Sequence, residues 1–378
     1  MARGIVRSGR LAVAALAVVA VGLLLAGCRD GDPDAERSAA AAPSADEAEA
    51  APVASEGCGD RGPAPGSSDR RLVTAGTERE YRRHVPAGYD PATPAPLVVD
   101  LHGLTMSASL EAALTGMEAL ADEEGFLVVT PQGLGDIPFW NYVSAGIADD
   151  DVSFLGALVA QVGADLCVDT SRVYATGISN GGLMSSALAC RLPQVFAAVA
   201  PVAGVTFLDG CEDGPPVPYQ ATYGTADDVL PYGGGLGAQL QGFLSANPLD
   251  ASAASAGDQQ DQISAIAFPP VDDTLARWAA RNGCADDPVE ERVSPEVVRR
   301  SWPGCDDEAE VVLYLVEGGG HTWPGTPLLG GRGGQGDGGG GGADPAAGGL
   351  ASVAGRTTDD ISATELAWAF FERHRLDP

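Results

Sequence analysis

The chain reads RVYATGISNGG from Arg172 to Gly182, and this stretch decides the fold. Strand-forming residues up to Thr176 lead into a Gly-x-Ser-x-Gly turn centred on Ser179, and a helical pattern then runs to about Cys190. A serine at such a junction is typical of a nucleophile elbow, a tight turn that exposes the serine hydroxyl. Glycines flank the serine because the turn leaves no room for Cβ atoms. The motif alone is common in a glycine-rich chain, so its weight comes from the strand before it and the helix after it.

Other apolar runs on either side of this stretch have the length and composition of strands buried on both faces. Counting the stretch itself, the six runs are Pro96–Leu101, Phe126–Thr130, Arg172–Thr176, Ala197–Val202, Val217–Tyr223 and Val311–Val316. Helical patterns lie between them: after Ser107, from Asp150, from Asn180, Leu275–Asn282 and Ala363–His374. Residues 70–86 have the pattern of an antiparallel hairpin. This alternation predicts an α/β fold with a mostly parallel central sheet and helices on both faces.

Two polar residues follow the fifth and sixth runs, at the strand ends where such sheets carry their chemistry. They are Asp227, after Gly-Thr-Ala, and His321, after three glycines. A nucleophilic serine needs a histidine base and an orienting acid, and in α/β-hydrolases the chain order is serine, acid, histidine. We therefore predict a triad of Ser179, Asp227 and His321, with Asp228 as the alternative acid. The other histidines fit this order less well: His84, His102 and His374.

The loop after the first run, Leu101-His102-Gly103-Leu104, is where we expect part of an oxyanion hole. Stabilising an oxyanion takes two backbone amides aimed at the developing charge. We assign them to Leu104 and to Asn180, the residue after the nucleophile. The alternative is that His102-Gly103 merely ends a strand. We expect the side chains of His102, Trp140 and Trp323 to line the substrate cleft, the alternative being tryptophans buried in the core.

Four motifs together resemble the polyhydroxybutyrate depolymerase-type esterases, a group that includes feruloyl and acetylxylan esterases and mycobacterial lipoproteins. The motifs are LHG at 101–103, GISNGGLM at 177–184, GTAD at 224–227 and GGGHTWPG at 318–325. The resemblance covers roughly residues 70–375. It implies the α/β-hydrolase fold and the same three catalytic residues. Tyr223 stands where the family usually has histidine, and the segment 233–270 is longer than expected, so we expect it to form a lid or rim.

The resemblance implies a serine esterase that works through an acyl-enzyme and needs no cofactor and no metal. Its substrate would be polyhydroxybutyrate-type polyester, or feruloyl or acetyl esters of plant polysaccharide, with a preference for short acyl chains. A serine peptidase of the same fold is one alternative. The other is a non-catalytic binding lipoprotein on a hydrolase scaffold, which would have no need of all three triad residues.

The first 27 residues have the pattern of an export signal: three arginines by residue 10, then an uncharged apolar run to Gly27. Leu25-Ala26-Gly27-Cys28 resembles a bacterial lipobox, which implies cleavage before Cys28 and lipid on its thiol. We therefore expect an exported protein, either a cell-envelope lipoprotein anchored to the membrane at Cys28 or a free extracellular enzyme. An uncleaved membrane anchor is the alternative, since the run is near the short limit for spanning a bilayer.

Three further segments follow this signal. Residues 28–57 are rich in Ala, Asp, Glu, Ser and Pro and predict a disordered tether, because they offer too little apolar surface to bury. Residues 58–378 then form the catalytic domain. Within it, residues 330–349 are mostly glycine and predict a flexible loop rather than a phosphate-binding loop.

The charge balance excludes several classes of function. All 22 basic residues are arginine, against 52 acids, so the net charge is −30, and removal of residues 1–27 makes it −33. Without lysine the chain can form neither a Schiff base nor a Walker-type phosphate loop. So large an acidic excess argues against binding nucleic acid. We expect a monomer acting on an ester substrate.

Six cysteines remain after Cys28, an even number that suggests disulfide bonds in an exported chain. We expect a disulfide bond between Cys284 and Cys305, because these two cysteines bracket a short loop. Cys167 and Cys190 each end a helix beside the central strand and are expected to pair. Cys211 follows a predicted strand and is therefore expected at the active-site edge of the sheet, away from Cys190. Cys58–Cys211 is then the remaining bond.

Overall fold

Six parallel strands form the centre of a ten-stranded sheet, and antiparallel strands extend it at both edges. The computed structural model describes residues 51–59, 61–142, 151–246, 268–326 and 354–377. In chain order the strands are β1 Gly66–Thr74, β2 Thr77–Val85, β3 Ala95–Leu101, β4 Leu127–Pro131, β5 Val168–Ile178, β6 Ala198–Val202, β7 Tyr219–Gly224, β8 Val289–Arg292, β9 Val297–Trp302 and β10 Val311–Val316. Their order across the sheet is β1-β2-β4-β3-β5-β6-β7-β10-β9-β8. The six predicted strands and the hairpin are therefore present, and the sheet is that of an α/β-hydrolase.

Helices cover both faces of this sheet. The described helices are α1 Ala108–Thr115, α2 Met117–Glu124, α3 Asp151–Asp165, α4 Asn180–Arg191, α5 Ala238–Ala246, α6 Val271–Arg281 and α7 Ala363–Phe371. Neighbouring residues of β3 point to opposite faces: Leu97 and Val99 belong to the core that α3, α4 and α6 cover, whereas Val98 belongs to the core that α2 and α7 cover. The strands are apolar on both faces because each face carries its own core.

Two local features differ from the sequence prediction. The helix expected after Ser107 is two helices, because Gly116 takes a positive φ of 66° that ends α1 and precedes α2. The β8–β9 hairpin was not predicted, since all four residues of β8 are exposed and have no apolar alternation. Helix α5 lies within the long segment 233–270, of which residues 247–267 fall outside the described part.

Two of the three predicted disulfide bonds are wrong. The structure pairs Cys58 with Cys167 and Cys190 with Cys211, and only Cys284–Cys305 is as predicted. We placed Cys211 at the carboxyl edge of the sheet because it follows β6. The chain has to return to the amino edge before β7 begins, and by Cys211 it already lies beside the end of α4, where Cys190 is.

The amino-terminal segment explains the remaining pair. We predicted a tether up to residue 57, but residues 51–57 pack against the start of β5. The Val53 amide donates to Asp169 Oδ1 at 2.9 Å, and the Ser55 amide donates to the Val168 carbonyl at 2.9 Å. These bonds carry Cys58 to Cys167, and the compact unit begins at Ala50.

Other predictions on the chain's organisation concern residues that the structure does not describe. They are the signal at 1–27, the lipid site at Cys28, most of the tether and the glycine run 330–349. Within the described residues, no helix combines the length and the apolar composition needed to cross a bilayer. Three disulfide bonds are typical of a protein exported to an oxidising compartment.

Candidate active site

Ser179 lies at the turn between β5 and α4, in the backbone geometry of a nucleophile elbow. Its φ is 57° and its ψ is −119°, a conformation that costs energy for a residue with a Cβ and that persists only where the surroundings impose it. The Ser179 amide donates to the Val202 carbonyl at 2.9 Å, which fixes the turn to the end of β6. A Cβ on Gly181 would overlap the carbonyl oxygen of Leu101, so only glycine fits there. The turn therefore lies directly against the end of β3.

His321 and Asp227 are hydrogen-bonded at the carboxyl ends of β10 and β7. His321 Nδ1 donates to Asp227 Oδ2 at 2.7 Å, and the Asp227 side chain is fully buried. The other oxygen, Oδ1, accepts from the amides of Val229 and Leu230 at 2.9 and 2.8 Å. This arrangement holds the proton of a neutral imidazole on Nδ1 and leaves Nε2 as the acceptor. The neighbouring Asp228 is exposed, so the geometry favours Asp227 as the orienting acid.

The loops that carry this pair are bonded to each other. The Ala226 amide donates to the Gly319 carbonyl at 2.8 Å, and the Gly318 amide donates to Thr225 Oγ1 at 2.8 Å. Tyr223, the residue that departs from the family pattern, donates its hydroxyl proton to the Leu230 carbonyl at 2.8 Å. That bond fixes the far end of the loop that contains Asp227, a role that its position at a strand end could have suggested.

The loop after β3, residues 102–107, carries the predicted oxyanion donor Leu104 and is called the oxyanion loop below. Neither the Leu104 amide nor the Asn180 amide donates to a carbonyl among the described residues. The Thr105 amide donates to the Pro138 carbonyl at 2.8 Å, and Thr105 has a positive φ of 70°. The oxyanion loop thus turns sharply, and the two amides assigned from the sequence as oxyanion donors have no carbonyl acceptor among the described residues.

His102 supports the oxyanion loop from below and does not face a substrate. It is fully buried, its Nδ1 donates to the Gly103 carbonyl at 2.8 Å, and its Nε2 accepts from the Gly133 amide at 2.8 Å. Burial lowers the pKa of His102 to about 4, so the ring is neutral near pH 7. Sequence reasoning missed Gln132. Its Nε2 lies 3.2 Å from His102 Nε2, and its Oε1 accepts a hydrogen bond from the Ala108 amide at 2.9 Å.

Trp140 joins the oxyanion loop to the nucleophile elbow. Its Nε1 donates to the His102 carbonyl at 2.9 Å. Its backbone amide donates to Asn180 Oδ1 at 2.6 Å, and Asn180 Nδ2 donates back to the Trp140 carbonyl at 3.1 Å. The Asn180 side chain therefore acts as a clamp between the elbow and Trp140, while its backbone amide has no acceptor among the described residues.

Trp323 is also buried, two residues after His321, and its Nε1 donates to Thr364 Oγ1 at 2.9 Å. The prediction that His102, Trp140 and Trp323 line the substrate cleft is therefore wrong, since each is 1% exposed or less. All three side chains point inward, because each forms a hydrogen bond with a partner in the layer below the loops.

The two remaining histidines pair with acids away from this edge. His84 lies 3.1 Å from Asp122, and His374 lies 3.3 Å from Glu310. Across the part of the chain that the structure describes, no three His, Cys, Asp or Glu residues come together as metal ligands.

Comparisons with known proteins group the chain with esterases. The family described as Esterase PHB depolymerase matches residues 80–213. A protein of Nocardia uniformis subsp. tsuyamanensis named "Putative esterase NocK" is 33% identical over 272 residues, which cover 68% of this chain and 74% of that protein. Feruloyl esterase C of Emericella nidulans is 36% identical over 184 residues, 46% of this chain and 65% of the relative. Feruloyl esterase B of Piromyces equi is 29% identical over 246 residues, 63% of this chain and 41% of the relative.

Among solved structures, an acetyl xylan esterase from Aspergillus awamori superposes with a TM-score of 0.48 at 17% identity, covering 68% of this chain and 94% of that one. The chain spans less than two thirds of the two feruloyl esterases and about three quarters of the Nocardia protein. Together with the sheet order, the sequence relatives define the chain as a carboxylic ester hydrolase. It belongs to the polyhydroxybutyrate depolymerase-type esterase family, as its four motifs predicted.

Proposed function

We propose that the chain is an exported serine esterase that hydrolyses feruloyl or acetyl esters of plant polysaccharide through Ser179, His321 and Asp227. The observation that carries this proposal is the 2.7 Å hydrogen bond from His321 to the buried Asp227, at the strand ends that follow the elbow. A merely structural histidine would have no need of a buried, doubly anchored carboxylate behind it.

The proposed mechanism is an ordinary acyl transfer through these three residues. His321 Nε2 takes the proton of Ser179 as its oxygen attacks the ester carbonyl, and Asp227 stabilises the imidazolium that forms. The amides of Leu104 and Asn180 donate to the oxyanion. His321 then protonates the leaving alcohol, and a water molecule, activated by the same nitrogen, hydrolyses the acyl-enzyme.

The names of the relatives support this substrate class. Two are feruloyl esterases, and a further relative is a bifunctional acetylxylan esterase/xylanase of Neocallimastix patriciarum. The family description supports a second candidate, polyhydroxybutyrate-type polyester. Both candidates require the same acyl transfer, so a substrate panel separates them.

Two neighbouring acids provide a matched test. Asp227→Asn keeps the shape of the side chain but no longer fixes the His321 tautomer, and we expect kcat to fall about 10³- to 10⁴-fold. Asp228→Asn, one residue along and exposed, should keep kcat within about twofold. The assay compares p-nitrophenyl acetate and butyrate, methyl ferulate and polyhydroxybutyrate. Equal losses in the two variants would remove Asp227 from the mechanism. A p-nitrophenyl ester with a long acyl chain, added to the same panel and turned over faster than the acetate and butyrate, would overturn the short-chain preference.

We also propose that lipid on Cys28 anchors the exported enzyme to the cell envelope. The support is the lipobox-like sequence that ends at this residue. Metabolic labelling with a fatty acid should label the wild-type chain and not Cys28→Ala. Labelling that survives this substitution would contradict the anchor without affecting the esterase.

A further inference from the structure

Two carboxyl groups are buried together beneath the oxyanion loop, Asp100 on β3 and Glu111 on α1. Both are 0% exposed. The Thr115 hydroxyl donates to Asp100 Oδ2 at 2.7 Å. Among the described residues, Asp100 Oδ1 and both Glu111 oxygens have no donor. Burying carboxylate oxygens without donors is costly, so this arrangement requires a further proton.

A proton held by the pair supplies the missing donor. Thr115, which donates to Asp100 Oδ2, lies one helical turn after Glu111 on α1, so Glu111 is on the face of α1 that meets Asp100. From there a Glu111 carboxylic O–H can donate to Asp100 Oδ1, which leaves the Glu111 carbonyl oxygen as an acceptor. Burial raises the pKa of Asp100 to about 7, and burial together with the Asp100 charge raises the pKa of Glu111 well above its usual range. These values belong to the coupled pair, which keeps at least one proton near pH 7.

Charged groups on the neighbouring elements either raise the pKa of the buried pair further or are already paired with other residues. Glu118 on α2 raises the pKa of Asp100 further. Arg82 on β2 lies 2.6 Å from Glu118, and His84 on the same strand lies 3.9 Å from it. His102, which follows β3, is neutral. None of these groups supplies a cation to the buried pair.

Glu111 lies between the two halves of the proposed catalytic machinery. Gly103 lies directly against Ile178, since a Cβ on Gly103 would come within 3.5 Å of the Ile178 carbonyl oxygen. The backbone amides of these two residues oppose the rise in the pKa of Glu111, although neither makes a hydrogen bond to its carboxyl oxygens. Gly103 precedes Leu104, and Ile178 precedes Ser179. The carboxyl group is therefore one residue away from an oxyanion donor and from the nucleophile.

The same polar layer reaches the loop that carries His321. The Thr115 carbonyl accepts from the Thr364 hydroxyl at 2.5 Å, and Thr364 in turn accepts from Trp323 Nε1 at 2.9 Å. The Thr326 hydroxyl donates to the Leu114 carbonyl at 2.7 Å. The carboxyl-terminal end of α1 is thus bonded to the His321 loop, while its first turn faces the oxyanion loop.

We propose that Asp100 and Glu111 share a proton and act as a positioning pair that holds the oxyanion loop against the nucleophile strand during ester hydrolysis. The proposal rests on the esterase function proposed above. Glu111 touches no substrate atom; its effect passes through the backbone of Gly103 and Ile178.

Two substitutions at one position separate hydrogen bonding from packing. Glu111→Gln keeps a neutral donor and acceptor, so kcat should stay within about threefold of the wild-type value. Glu111→Leu keeps a similar volume but no polar group, and kcat should fall about 10- to 100-fold with KM nearly unchanged, as for a small misplacement of catalytic groups. The matched control is Glu123→Gln, on the exposed side of α2, which should change neither constant.

Two measurements read the shared proton without reference to activity. The infrared spectrum of the wild-type protein near pH 7 should show the C=O stretch of a protonated carboxyl group, which Glu111→Gln removes and Glu123→Gln keeps. Stability gives the second readout. The folded state holds protons that the unfolded chain releases above about pH 4, so the wild-type free energy of unfolding should fall, relative to Asp100→Asn, as the pH rises from about 4 to about 7.

The outcomes distinguish this proposal from the one on which it rests. A wild-type protein without esterase activity would contradict the proposed function. The infrared band would then decide separately whether Asp100 and Glu111 share a proton. An active wild-type protein without that band, or a Glu111→Leu variant with the same kcat, would overturn the positioning pair.

Discussion

At the scale of single residues, Gly181 shows how closely the backbone segments of the site approach one another. The carbonyl oxygen of Leu101, at the end of the neighbouring strand, occupies the space that a Cβ of this residue would need. The sequence motif predicted glycine here because of the tight turn. The structure adds a second reason, since the elbow packs against the strand that leads into the oxyanion loop.

Replacing this glycine tests that contact. Gly181→Ala places a Cβ on a backbone atom that cannot move alone, so we expect a loss of about 1–3 kcal/mol in the free energy of unfolding, together with reduced activity. Gly242→Ala in α5 is the control, because a Cβ there meets no atom within 4 Å and alanine favours a helix. Urea denaturation measures both variants. Equal stability of the two would show that the elbow does not press on β3.

Sequence could predict that Asp227 and His321 meet at the strand ends, but not where the side chains around them point. Asp227 and His321 were found because they follow buried strands in the required order. His102 and Trp140 also follow strands, yet their rings turn inward toward each other and toward backbone partners that are far away in sequence, such as Gly133. Such partners are set by how the loops pack, which a single sequence does not reveal.

At the scale of elements, the parallel strands were predictable and the connections between them were not. A strand buried on both faces is a continuous apolar run, whereas β8 is exposed throughout and carries no such pattern. The cysteine pairs failed for the same reason. Cys211 was assigned from the strand it follows, but its position depends on the path of the loop back to the amino edge.

The disulfide bonds give a prediction about stability. Cys58–Cys167 closes a separation of 109 residues and Cys284–Cys305 one of 21. By loop-closure entropy, replacing both cysteines with alanine should cost about 5 kcal/mol for the first bond and about 3 kcal/mol for the second. Activity of the folded variants should persist, since Cys58–Cys167 lies at the start of β5, opposite Ser179. Unfolding in urea measures the costs, and a larger cost for the shorter loop would contradict this ranking.

At the scale of the whole molecule, one edge of the sheet carries the candidate active site and the opposite edge carries two disulfide bonds. The carboxyl edge carries the elbow, the oxyanion loop and the hydrogen-bonded His321 and Asp227. At the amino edge, Cys58–Cys167 and Cys190–Cys211 tie the amino-terminal segment and the end of α4 in place. This division fits an exported enzyme whose loops at one edge are free to serve a substrate, because covalent bonds stabilise the opposite edge.

The central claim, that Ser179 is an activated nucleophile, is tested most directly by covalent labelling. The mature protein is treated with a fluorophosphonate, and the adduct is located by mass spectrometry of its peptides. We predict one adduct, on Ser179, that is absent from Ser179→Ala and strongly slowed in Asp227→Asn but not in Asp228→Asn. A wild-type protein that takes no label, or a Ser179→Ala variant labelled as fast as the wild type, would contradict the account.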